Sequence, residues 1–126
     1  MKQSLAILYI CFNSALGFGQ VAEFSFVKPT HKFPKTDEGP VLKHYYVFRN
    51  SGNAPLIISS YAVGCHCTEA IFPTYPILPG KTDSILVTFD TKGKFYQQDR
   101  TVILTSNAKK KEYSLRFKVF VVPRED

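Results

Sequence analysis

From Glu112 to Val122 the chain alternates: Tyr113, Leu115, Phe117, Val119 and Val121 share one face, while Ser114, Arg116 and Lys118 share the other. A period of two marks a strand with one buried face. Ile85, Val87 and Phe89 repeat the pattern in Ser84–Phe89, as do Phe24 and Phe26 within Ala22–Val27. Turn-forming clusters separate these stretches: 35–40, 51–55, the prolines at 73, 76 and 79, and 90–94. The pattern predicts strands over 22–27, 41–50, 56–63, 68–72, 84–89, 100–105 and 112–122, with a short continuation of the first at 31–33. No stretch carries a convincing amphipathic helical period. The predicted fold class is therefore all-β, a single immunoglobulin-like β-sandwich of about seven strands, although the Cys…Trp…Cys signature of antibody domains is missing.

Composition supports this reading. The 126 residues leave room for one domain. Its aromatic residues are all Tyr and Phe, a usage that suits pleated surfaces. A domain of about 100 residues buries roughly two-thirds of its unfolded surface, which is enough for a core and too little for a large internal cavity.

The first residues read as an export signal. Lys2 precedes an apolar stretch from Leu5 to Leu16, and Gly17 and Gly19 fit the −3 and −1 positions of a cleavage site before Gln20. The expected division is a signal peptide at 1–19 and the sandwich domain at 20–126. The apolar stretch is shorter than the ~20 residues of a transmembrane helix, so no transmembrane segment is expected in the mature chain. Cys11 follows Ile10, where a lipid-anchored protein would carry Gly or Ala, which favours cleavage over lipidation. The expected localisation is extracytoplasmic, periplasmic or secreted.

Export shapes the reading of charge. The formal charge is +6, and loss of Lys2 leaves +5. The one basic run, Lys109-Lys110-Lys111, reads as a solvated hairpin loop, with contact to an anionic surface as the functional alternative. No basic stripe with stacking aromatics points to nucleic acid.

Export leaves Cys65 and Cys67 in an oxidising compartment. On an extended strand their Cα atoms would stand about 6.6 Å apart with both thiols on one face and His66 on the other. Disulfides prefer roughly 5.5–6 Å, so a bridge requires a bend, which Gly64 could permit. Three readings stay open. The pair could pack structurally, act as a redox pair, or, with His66, hold Cu(I) or Zn(II). His31 and His44 are the other histidines, and His44 reads as a packed or surface imidazole. The tyrosines read as strand packing. No nucleophile elbow, phosphate loop or acidic calcium loop is present, so neither an enzyme nor a bound organic cofactor is expected.

Five motifs occur in order: Phe48-Arg-Asn-Ser-Gly-Asn-Ala-Pro-Leu-Ile-Ile58, Gly64-Cys-His-Cys-Thr68, Pro76-Ile-Leu-Pro-Gly80, Val87-Thr-Phe-Asp-Thr-Lys-Gly-Lys94 and Ser106-Asn107. Together they resemble the bacterial domain-of-unknown-function family 1573, from about Phe33 to Val121. The resemblance implies an immunoglobulin-like sandwich akin to the major sperm protein and ASPM–SPD-2–Hydin domains, an extracytoplasmic setting and no assigned function. His66 departs from the family's usual Cys-Gly-Cys-Thr and removes a residue free to take positive φ. The function expected is a non-catalytic binding or scaffolding module of the bacterial envelope, its partner a protein or other envelope component. The alternative is a thiol redox or soft-metal-handling protein.

Overall fold

The computed structural model describes residues 19–125, so the expected leader, including Cys11, lies outside the described residues apart from Gly19. Nine strands follow: β1 (Phe24–Phe26), β2 (Thr30–Lys32), β3 (Thr36–Asp37), β4 (Val41–Asn50), β5 (Ile58–Val63), β6 (Thr68–Ile71), β7 (Thr82–Asp90), β8 (Tyr96–Ser106) and β9 (Glu112–Val122). They form an all-β, immunoglobulin-like sandwich. One sheet has the order β1-β4-β7-β6, the other β2-β9-β8-β5, with β3 also on β9. No described helix is long and apolar enough to cross a membrane.

The alternating residues meet between the sheets. Tyr46 and Phe48 of β4, with Ile85, Val87 and Phe89 of β7, face Val102 and Leu104 of β8 and Leu115, Phe117, Val119 and Val121 of β9. All are buried, and Phe89 and Phe117 touch with ring centroids 5.1 Å apart. Complete burial of one such apolar side chain contributes about 1.5–3 kcal/mol. The Tyr46 hydroxyl donates to the Arg116 carbonyl at 2.7 Å, satisfying its polar end across the core. Burial raises the Tyr46 pKa well above its ordinary value.

The sequence expectation of about seven strands becomes nine because the first region is broken. Pro29 ends the first stretch; the chain then crosses to the other sheet and runs parallel to β9 as β2 and β3. β3 falls in the segment expected to be wholly loop. β8 begins at Tyr96 rather than Arg100, because Tyr96 to Thr101 pair with Val121 to Arg116 although their side chains are mostly polar.

Several strands outrun their neighbours. β1 covers β4 only from Phe48 to Asn50, and β5 covers β8 only from Val102 to Ser106. Val41–Tyr46 and Tyr96–Thr101 therefore each carry a strand partner on one side only among the described residues.

Candidate functional site

β5 belongs to the five-stranded sheet and β6 to the four-stranded one, so residues 64–67 carry the chain between layers. The passage is a tight turn in which the Thr68 amide donates to the Cys65 carbonyl at 3.1 Å. The turn brings the Cα atoms of Cys65 and Cys67 to 5.1 Å, and the two residues form a disulfide. The Cys67 amide donates to Cys65 Sγ at 3.1 Å, and the Cys67 carbonyl accepts from the Asp90 amide at 2.9 Å. The second bond ties the turn to the end of β7. Both cysteines are half-buried, and Cys67 also packs on the core.

This geometry replaces the extended-strand picture. The pair sits in a turn, with His66 exposed at its crest. Gly64 takes part without a positive φ, and a Cβ there would meet nothing within 4 Å. His66 likewise has no positive φ, so glycine's backbone freedom is not required at this position. Bridged sulfurs offer no thiolate, and a metal needs deprotonated ligands. Of the proposed trio, the turn joins Cys65 to Cys67 and leaves His66 beside a shallow depression lined with Val41, Cys67, Glu69, Thr88 and Asp90. No group of three or more metal-ligating side chains is found among the described residues.

Sequence reasoning missed a second pair. His31 of β2 and His44 of β4 stack face to face, with ring centroids 3.5 Å apart and planes 7° from parallel. Phe33 and Tyr46 flank them edge-on. Desolvation lowers both imidazole pKa values; Lys28 lowers both further, and His31 adds to the effect on His44. Only the crossing of the chain from one sheet to the other brings these two histidines together, so no local pattern announces them.

The lysine run lies where the alternation placed it, exposed in the turn between β8 and β9. Lys110 stands 5.6 Å from the Tyr113 ring, and the Lys109 amide donates to the Ala22 carbonyl. Tyrosines divide: Tyr46 is core, whereas Tyr45, Tyr75 and Tyr96 are exposed.

The family motifs have a structural meaning. Asn50 is fully buried, and its side chain makes four hydrogen bonds. Oδ1 accepts from the amides of Glu23 and Gly52, while Nδ2 donates to the carbonyls of Ala54 and Ile77. One side chain thus ties together the entry to β1, the 51–55 turn and the proline-rich connection. Residues 24–121 match the model of a protein family of unknown function, DUF1573. The chain belongs to this family. No curated protein matches it. Among solved structures it is similar to a protein of unknown function from Porphyromonas gingivalis W83 (TM-score 0.72, 16% identity), covering 85% of this chain and 50% of that one. It is also similar to the ASH/PapD-like domain 7 of human CEP192 (TM-score 0.58, 12% identity, 84% and 88% covered). A third likeness is to the E. coli chaperone DraB (TM-score 0.54, 13% identity, 82% and 56% covered). At these identities the likeness is one of fold. This chain spans half the length of the Porphyromonas protein.

Proposed function

We propose that the chain is a non-catalytic, extracytoplasmic module that binds an extended segment of a protein partner through an open sheet edge. The observation that carries the reading is the pair of strands, β4 and β8, that run on beyond their neighbours. An edge strand presents unpaired amides and carbonyls that a partner chain can satisfy by adding a strand. The likeness in fold to a chaperone supports protein binding. Residues 1–19 and the Cys65–Cys67 bridge support an oxidising location. Photo-crosslinkers placed singly along β4, β8 and the Lys109–Lys111 turn in the native host provide the test. The reading requires edge positions to crosslink to a defined protein; crosslinks from the lysine turn alone, or to no protein, overturn it.

The half-buried bridge favours a second reading, thiol–disulfide exchange. A partner thiolate attacks one sulfur and forms a mixed disulfide while the other sulfur leaves as a thiolate. A second partner thiol then displaces the chain as a dithiol, leaving the partner oxidised. Trapping with single Cys→Ser variants tests this: mixed disulfides with host proteins support it, and their absence removes it.

A further inference from the structure

We infer that the free edge of β4, from Val41 to Tyr46, is the docking site for an extended, acidic-apolar peptide strand of a partner protein; this rests on the strand-binding reading above. Three independent features converge there. The first is backbone demand. The Val27 amide donates to the Val47 carbonyl at 3.1 Å, the last contact before the chain leaves this sheet. In an antiparallel ladder the amide and carbonyl of a residue point to the same side, and alternate residues share that direction. Val41, Lys43 and Tyr45 thus aim their backbone groups where Val47 does, and no described strand pairs with them on that side.

The second feature is apolar surface at the same place. Val27 is 74% exposed and Tyr45 60%, and Val41 and Val47 are exposed beside them. Where β1 turns away, a hollow of about 280 Å³ opens between Val27, Lys28, His44, Tyr45, Tyr46 and Val47. A strand laid along β4 would place alternate side chains into this hollow and on the outer face beside Lys43 and Tyr45.

The third feature is charge. Residues 24–36 and 41–50 contain Lys28, Lys32, Lys35, Lys43 and Arg49 and no carboxylate. Of the acids between them, Asp37 pairs with Val122 of β9, while the Glu38 carboxylate accepts from the Gly93 and Arg124 amides. Asp90 lies on the far side of β4, opposite Val41. The free edge is therefore cationic, and an incoming strand is favoured when it carries Asp or Glu between its apolar residues.

The free stretch of β8 fits less well. Its side chains bond locally: Gln98 Nε2 to the carbonyl of Phe95 just before the strand, Gln97 Nε2 to the Gln98 carbonyl and Arg100 to Gln98 Oε1. Tyr96 also takes a φ of +67° at its start.

The probe is a short fluorescein-labelled peptide alternating valine with aspartate and glutamate. Its controls are the same peptide with lysine for the acids and a version N-methylated at alternate amides. The acidic peptide should bind and slow amide exchange at Lys43 and Tyr45. Both control peptides, and the double variant Lys28→Glu/Lys43→Glu, should bind at least about tenfold more weakly. The variant's melting temperature must match the wild type, confirming its fold. Equal binding of the N-methylated peptide, protection confined to β5 or β8, or no binding overturns the inference. So does a dimer in which the Lys43 and Tyr45 amides are already protected, which would assign the edge to a second copy. If host crosslinks map to β8 while this peptide fails, the binding-module reading stands and only the β4 assignment falls.

Discussion

A methyl group on Gly52 would stand 2.2 Å from the carbonyl oxygen of Val21 and 2.8 Å from both the Ala22 Cα and the Glu23 amide nitrogen. All three are backbone atoms, so no side chain can swing aside. The contact is close because the Gly52 and Glu23 amides share one acceptor, Asn50 Oδ1. The 51–55 turn is thereby pressed flat against the start of the domain. Gly52→Ala should cost about 2 kcal/mol or more, as overpacking does where the surroundings cannot yield. Gly64→Ala is the control: with open space and no positive φ, it should change stability by less than about 1 kcal/mol. Urea midpoints of the two variants check the contrast, and equal midpoints would refute it.

Asn50→Ala should be similarly costly. It leaves two amides and two carbonyls without their side-chain partner, and a buried group left unpaired costs about 1–3 kcal/mol. We expect a total loss of about 2–4 kcal/mol, since some of these groups can recruit water. Amide exchange should quicken near Glu23 and Ala54 together, because one side chain serves both.

Cys65→Ser/Cys67→Ser should remain folded, with a loss below about 2 kcal/mol. A bridge spanning a single intervening residue restrains little of the unfolded chain. Loss of cooperative melting at 25 °C in the double variant would show that the bridge organises the crossing between sheets.

Acid should destabilise the domain through His31 and His44. Their folded pKa values lie below the ordinary histidine value, so between the two values the unfolded chain binds more protons. Stability contributed by the neutral stack is present above about pH 6.5 and declines as pH falls through the folded pKa values. His44→Phe should flatten this part of the profile while keeping an aromatic ring beside His31, Phe33 and Tyr46. Denaturant midpoints between about pH 8 and pH 5 test it; an unchanged slope in the variant would remove the stack as the cause.

The sandwich was legible wherever burial was one-sided. β9 and β7 announce themselves because their inner faces are apolar and their outer faces largely polar. β8 was half hidden, since Tyr96–Thr101 extend beyond the buried core and are shaped by pairing with β9. β2 and β3 were harder still: their parallel pairing with β9 depends on a crossing between sheets that short segments do not encode. The cysteine pair was visible as a motif. Its bend was not, because the hydrogen bonds to Cys65 and from Asp90 belong to the turn and to β7. The histidine stack and the open edge of β4 both arise from the departure of the chain at Val27, and both were invisible before the sheets were assembled.

The parallel pairing of Thr30 with Arg116 and of Thr36 with Val121 has a consequence for synthesis. Early and late strands of the domain are neighbours, and β9 also supplies Leu115, Phe117, Val119 and Val121 to the core. Such distant pairing makes folding slow, because the loop must close before its contacts reward it. While β9 is still inside the ribosome, the emerging polypeptide lacks the strand that joins its beginning to its middle. The second sheet can close only once β9 has emerged, so the last strand to be made is the one that fixes the first.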